Sequence, residues 1–140
     1  MQIYSHVLNL RLWHPTLDPD LVTRTLGLEP QIAWRAGDSR KTPKGTLLEG
    51  VHSEGYWSAD PFSYGWRESA DAQIEDALEE LITLLEPHRD FLQGVTQGGF
   101  VRVWVSSHSN RNFSLELSPG MLARLASLGA TFVHDVYQGP

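Results

Sequence analysis

The chain has no cysteine and no long hydrophobic run, and each absence excludes a class of protein. Without cysteine there is no disulfide and no thiolate chemistry. No stretch of about 18 apolar residues is present that would form a membrane-spanning helix. The first residues also lack the basic and apolar regions of a signal peptide. We therefore expect a cytoplasmic protein that has no membrane partner.

Positive charge is scarce as well, since 11 Lys and Arg stand against 17 Asp and Glu and the net charge is −6. Nonspecific nucleic-acid binding depends on neutralising phosphates, so this balance opposes a nucleic-acid partner. Acidic residues concentrate in one predicted helix: Asp71, Glu75, Asp76, Glu79, Glu80 and Glu86. Basic residues concentrate in one predicted loop: Arg35, Arg40, Lys41 and Lys44. We interpret these as a solvated helix face and a surface loop, although the basic cluster could meet an anion.

Motifs that carry known catalytic chemistry are also missing. There is no Gly-x-Ser-x-Gly, no triad order and no glycine-rich phosphate loop that opens a helix. The histidines lack the spacing of a metal site. His6 falls in phase with leucines and is predicted to be a core residue. We therefore predict no catalytic residue, no metal and no cofactor, and we do not favour an enzyme.

What the sequence does contain is one helix signature that occurs twice, at residues 17–27 and 117–129. In each copy a capping residue precedes proline, an amphipathic stretch follows, and a glycine ends it. The caps are Asp18 and Ser118, the prolines are Pro19 and Pro119, and the glycines are Gly27 and Gly129. The doubled signature predicts two strand–helix–strand units in one domain that covers residues 1–140.

Hydrophobic periodicity supplies the other elements. We predict strands at 3–13, 31–36, 55–59, 99–106, 113–117 and 131–137, and helices at 18–26, 70–86 and 118–128. Residues 99–106 and 113–117 are expected to form a hairpin. The predicted fold class is α+β: a mainly antiparallel sheet of about five strands with three helices on one face, ferredoxin-like or a variant of it.

The alternation of the strands predicts what lies on the face that the helices leave open. That face carries Asn9, Arg11, Trp13, Arg102, Trp104, Ser114 and Glu116. Arg and Trp are enriched where proteins bind partners, and Arg can hold a carboxylate or phosphate through two hydrogen bonds. The alternative is that Arg11 or Arg102 pairs with Glu116 across strands, while residues 30–66 cover Trp104.

Residues 30–66 are rich in glycine, proline and aromatic rings. The rings are Trp34, Tyr56, Trp57, Phe62, Tyr64 and Trp66. Rings in such number must pack against something or bind something. Gly37 and Asp38 could simply form a turn, because Asp accepts hydrogen bonds from its own backbone there.

Several motifs in order resemble the bacterial domain of unknown function 4279. They are Leu17–Asp20, Leu26–Pro30, Trp34–Asp38, Gly55–Ser58, the acidic helix, and Leu128–Ala130 followed by Asp135–Tyr137. The resemblance covers nearly the whole chain and implies a small single-domain cytoplasmic α+β protein without an assigned activity. The positions closest to the family pattern are Trp34, Gly37, Asp38, Arg40 and Trp57.

Three functions stay open at this point. The first is a non-enzymatic binding module, such as an accessory or immunity-type protein, whose acidic helix could occupy a basic partner. The second is a homodimer through the open sheet face. The third is a small-ligand binder or small enzyme with a groove between that face and residues 30–66. The candidate binding residues are Arg11, Arg35, Asp38, Arg40, Trp57, Arg102, Trp104 and Glu116.

Overall fold

The computed structural model describes residues 3–138. Its strands are Ser5–His14 (β1), Ile32–Trp34 (β2), Ser39–Lys41 (β3), Leu47–Val51 (β4), Gly55–Ala59 (β5), Arg67–Glu68 (β6), Phe100–Ser109 (β7) and Ala130–Gln138 (β8). Its helices are Pro19–Leu26 (α1), Ile74–Leu85 (α2), Arg89–Val95 (α3) and Pro119–Ser127 (α4), with a 3₁₀ turn at Glu86–His88.

Strand β1 lies at the centre of a six-stranded sheet. Five of the strands follow the order β2-β5-β1-β7-β8, and the sixth, β6, which follows β5 in the chain, pairs with β1. It pairs antiparallel with β7 on one side and with β5 and β6 on the other. Strand β8 joins the far side of β7 in parallel. Helix α1 connects β1 to β2, with β5 between these strands, and this arrangement is compatible with a ferredoxin-like fold extended by β8. The predicted α+β class with a mainly antiparallel sheet is confirmed.

Both copies of the helix signature form as predicted. The Asp18 carboxylate accepts from the backbone N–H groups of Asp20 and Leu21, at 3.1 and 3.4 Å. Ser118 Oγ accepts from the Met121 N–H at 3.2 Å. Gly27, at the end of α1, has a φ of +69°, which is a backbone conformation that residues other than glycine rarely adopt.

The predicted hairpin of 99–106 with 113–117 is wrong. Strand β7 continues to Ser109, and its free side pairs with β8 instead. Residues 113–117 form no strand. They run along the helix side, where Phe113 stacks on Tyr4 with ring centroids 4.1 Å apart. Their alternation therefore reflects one side packed against the core, and the second strand–helix–strand unit is β7–α4–β8.

Three elements were not predicted: α3, the short β6, and the hairpin β3–β4. Pro87 does end α2, but the chain turns through Glu86–His88 and resumes as α3. The hairpin is almost wholly exposed. It has no buried stripe that periodicity could have revealed.

The core lies between one face of the sheet and the helices. Every second residue of β1 is buried, including Leu8, Leu10 and Leu12. Trp57 of β5 is fully buried, and its Nε1 donates to Thr23 Oγ of α1 at 3.1 Å. Alternate burial along the central strands leaves the other face of the sheet for solvent.

Two neighbouring glycines should respond oppositely to alanine. A Cβ on Gly94, within α3, meets nothing within 4 Å, and alanine is the better helix former. We expect Gly94→Ala to raise the free energy of unfolding by about 0.5–1 kcal/mol. A Cβ on Gly99 would clash with the carbonyl oxygen of Trp13 and lie 2.7 Å from that of Val95. We expect Gly99→Ala to cost about 1–3 kcal/mol. Urea denaturation checks both, and equal effects would contradict this packing.

Candidate functional site: the open sheet face

Four aromatic residues lie side by side across the open face of the sheet. The register pairs Trp34 of β2 with Tyr56 of β5, Tyr56 with Trp13 of β1, and Trp13 with Phe100 of β7. We call Trp34, Tyr56, Trp13 and Phe100 the aromatic row. Each residue comes from a different strand, so the row exists only once the sheet has formed.

The rings of the aromatic row form two stacked pairs. Trp13 and Phe100 lie 5.4 Å apart at 10°, and Trp34 and Tyr56 lie 4.8 Å apart at 28°. His52 stacks on Trp34 at 3.9 Å. Stacking places the negative faces of rings against each other and leaves their positive edges at the side. The row is therefore a strip of aromatic rings across the open face.

A pair of arginines lies directly beside the aromatic row. Arg11 of β1 is the register partner of Arg102 of β7, so the two cations are opposite each other on the open face. Arg11 lies over the ring of Trp104 at 4.0 Å, and Arg102 lies over Phe100 at 3.9 Å. Arg11 Nε donates to Asn9 Oδ1 at 2.8 Å. The ion pairs found in residues 3–138 use Arg35 and Arg124, so this pair is not neutralised within that range.

One of the carboxylates on the open face already has a partner. Asp135 of β8 accepts a long hydrogen bond of 3.4 Å from Trp104 Nε1. It thereby orients the ring that lies under Arg11. The guanidinium groups of Arg11 and Arg102 keep donors that can meet a carboxylate or phosphate from outside.

The arginine pair contributes little to stability. Like charges directly opposite destabilise a sheet, and pairs in this geometry are worth roughly 0.2–1 kcal/mol. A guanidinium over a ring at an exposed site recovers about 0.5–1 kcal/mol. These opposing contributions nearly cancel, so the fold does not depend on the placement of Arg11 opposite Arg102.

Three predicted binding residues maintain the structure of their own segment. Arg35 forms ion pairs with Asp18 and Asp20 at the start of α1, at 2.8 and 2.6 Å. Asp38 accepts from the Arg35 backbone N–H at 2.8 Å, which forms the expected turn. Arg40 donates to the Glu49 carbonyl at 3.1 Å, within the hairpin β3–β4.

Two other predicted residues lie away from the open face. Trp57 is in the core, because its strand turns that side chain toward α1. Glu116 was expected on the open face, but it lies with Ser114 beside the start of α2, on the helix side. Its N–H donates to Glu75 Oε2 at 3.3 Å. Because residues 113–117 are not a strand, the expected pairing of Glu116 with Arg11 or Arg102 is wrong.

The aromatic rings of residues 30–66 are divided among several sites. Trp34 and Tyr56 belong to the aromatic row, and Phe62 lies 5.9 Å from Tyr64. Trp66 lies 6.1 Å from Tyr137 of β8, at the other end of the open face. The Trp104 ring contacts the guanidinium of Arg11.

Sequence reasoning placed Arg11, Trp13, Arg102 and Trp104 on one face, and the structure brings them together. It missed that Trp34 and Tyr56 complete a row with Trp13. Strands at 31–36 and 55–59 were predicted, but only the strand order makes these residues neighbours.

On the helix side His6 is buried and His134 is half-buried. His6 Nε2 donates to the Ala72 carbonyl at 2.7 Å, while its buried Nδ1 has no partner. Burial lowers the pKa of His6, and nearby Arg67 lowers it further. His134 Nε2 lies 2.7 Å from the buried Ser107 Oγ, and burial lowers the pKa of His134 as well. The prediction of a core histidine at position 6 is confirmed.

These histidines predict acid sensitivity. The unfolded chain binds protons near pH 6.5, and the folded chain binds them only at lower pH, so the unfolded state holds more protons in between. The free energy of unfolding should therefore fall as pH drops below about 6.5, by at most about 1.4 kcal/mol per pH unit for each imidazole. Urea denaturation between about pH 8 and 5 measures this slope. His6→Gln should flatten it, and an unchanged slope would contradict this role.

Removal of the arginine pair should leave the fold intact. We expect the double variant Arg11→Gln/Arg102→Gln to change the free energy of unfolding by less than about 1 kcal/mol, because lost repulsion offsets lost stacking. Trp57→Ala is the comparison and should cost about 3–5 kcal/mol. If the free energy of unfolding of the arginine variant fell by several kcal/mol, the pair would be needed for the stability of the fold.

Within residues 3–138, no group of three or more His, Cys, Asp or Glu side chains could hold a metal ion. Over the same residues, no helix is long and apolar enough to cross a membrane. No curated protein and no solved structure matches the chain. The model of a domain of unknown function, DUF4279, matches residues 2–139. This match covers essentially the whole chain and confirms the resemblance drawn from its motifs: the chain belongs to the DUF4279 family.

Proposed function

We propose that this protein is a binding module whose open sheet face holds an acidic segment of a partner protein. The observation that carries the proposal is the unneutralised pair of Arg11 and Arg102 beside the aromatic row. Arginine and aromatic residues dominate the binding energy of protein interfaces. Such a module acts by occupying its partner, as an accessory or immunity-type protein does.

The chemistry of the face favours protein over nucleic acid. Single-stranded nucleic acid binds aromatic platforms by stacking bases on open ring faces. Here Trp13 and Arg102 occupy the faces of Phe100, and Arg11 covers Trp104. Ring edges and guanidinium donors suit carboxylates that are surrounded by apolar side chains.

The sheet face is also a better candidate than the acidic helix. Arg124 of α4 binds Glu79 of α2 and Glu86 of the following 3₁₀ turn, each at 2.6 Å, and its hydrogen bond lowers the pKa of Glu86. Part of the acidic charge is thus neutralised within the fold. The arginine pair has no comparable partner, so the case for an acidic partner is stronger than that for a basic one.

Self-association through the open face is less favoured. A symmetric dimer brings the same patch of both copies together. Centred on Arg11 and Arg102, it would gather four guanidinium groups and provide few carboxylates to meet them. The charge of the face therefore favours a different protein as the partner.

Affinity capture from the native cell lysate tests the proposal. The wild type should retain a protein that Arg11→Gln/Arg102→Gln loses at physiological salt. Arg24→Gln/Arg111→Gln is the matched control, because it removes the same charge from exposed arginines elsewhere and should keep the partner. Equal retention by both double variants would contradict the proposal. So would bound material that nuclease removes, or light scattering that shows a dimer split by Arg11→Gln/Arg102→Gln.

A further inference from the structure

The aromatic row ends at a groove between the sheet and the hairpin β3–β4. Trp34, the last member of the row, lines this groove together with His52, which stacks on it. The groove has a volume of about 820 Å³. It is therefore continuous with the open face to which we assign the partner.

One side of the groove is the free edge of a strand. Gln31, Ile32, Ala33 and Trp34 all line it, although neighbouring residues of a strand point to opposite faces. All four residues can line the same space only if that space runs along the edge of the strand. Strand β2 is the last strand on this side of the sheet, and no other strand of residues 3–138 pairs with its outer edge. The groove thus runs along backbone groups that can accept another strand.

The hairpin side of the groove carries an exposed leucine and a lysine. Leu47, which is 67% exposed, and Ile32, which is 53% exposed, both line the groove. Lys41 lines the groove, and no carboxylate of the described chain forms an ion pair with it. Asp38 also lines the groove, and its carboxylate accepts from the Arg35 backbone N–H. A two-stranded hairpin is at best marginally stable alone, so an exposed one gains stability from a partner.

We propose that this groove takes up an extended acidic segment of the partner, which adds to β2 as a further strand. The backbone of the segment pairs with the edge of β2, its apolar side chains contact Ile32 and Leu47, and its carboxylates meet Lys41. Strand addition to an exposed edge is an established mode of peptide recognition. This inference rests on the proposed function, because the same acidic partner would contact the arginine pair.

A defined peptide tests strand addition. The probe is a capped peptide of about eight residues that alternates Glu and Val, and its control alternates Lys and Val. Titration should shift the amide NMR signals of residues 31–34 and 39–47. It should also slow hydrogen exchange in 31–34, which contact through side chains alone would not do. The lysine peptide should cause no saturable change.

Two exposed leucines provide matched variants. Leu47→Glu should weaken binding of the glutamate peptide about fivefold or more, and Lys41→Glu should also weaken it. Leu122→Glu should have no effect, since Leu122 is an exposed leucine of α4. Circular dichroism confirms that each variant is folded. Equal effects of Leu47→Glu and Leu122→Glu would overturn the inference.

The outcomes separate this inference from the proposed function. Shifts confined to Trp13, Arg102 and their neighbours, lost in Arg11→Gln/Arg102→Gln but without protection of β2, would overturn strand addition and leave the open-face function standing. No saturable shift at millimolar peptide, or equal binding of the lysine peptide, would overturn the groove as an acidic site. In that case the lysate capture still decides the proposed function, because it does not depend on the groove.

Discussion

Strand β1 hydrogen-bonds to β5, β6 and β7, and the rest of the sheet is arranged around these pairings. Its side chains alternate, so one register places Leu8, Leu10 and Leu12 in the core and Arg11 and Trp13 on the open face. A slip by one residue would exchange the two sets, with leucines in water and an arginine in the core. The burial of the leucines therefore holds Arg11 and Trp13 on the open face.

The molecule has two sides of different chemical character. The helix side carries the acidic residues of α2, some of which are tied to Arg124. The open side carries an arginine pair and an aromatic row. A net charge of −6 describes the whole chain and says little about either side, because screening in salt limits each charge to its neighbourhood of about 8–10 Å. An acidic protein can thus offer a locally cationic surface to an acidic partner.

The errors of prediction arise where a local pattern has two structural meanings. Residues 113–117 alternate like a strand, but the place beside β7 is taken by β8. Glu116 was misplaced for that reason alone. The hairpin β3–β4 is exposed on both sides, so it shows no hydrophobic period. By contrast β1, β7, α1 and α4 were predictable, because a few neighbouring residues specify their burial pattern or their caps.

The sequence by itself determined the α+β class, the family, the doubled helix signature, and the face on which Arg11, Trp13, Arg102 and Trp104 lie. These depend on caps and on the two-residue period of a strand, which are local properties of the chain. Only the tertiary structure decided that Arg102 lies opposite Arg11, that Trp34 and Tyr56 extend the row from Trp13, and that the edge of β2 borders a groove. The reason is that register joins strands distant along the chain, and no short-range pattern specifies which strands become neighbours.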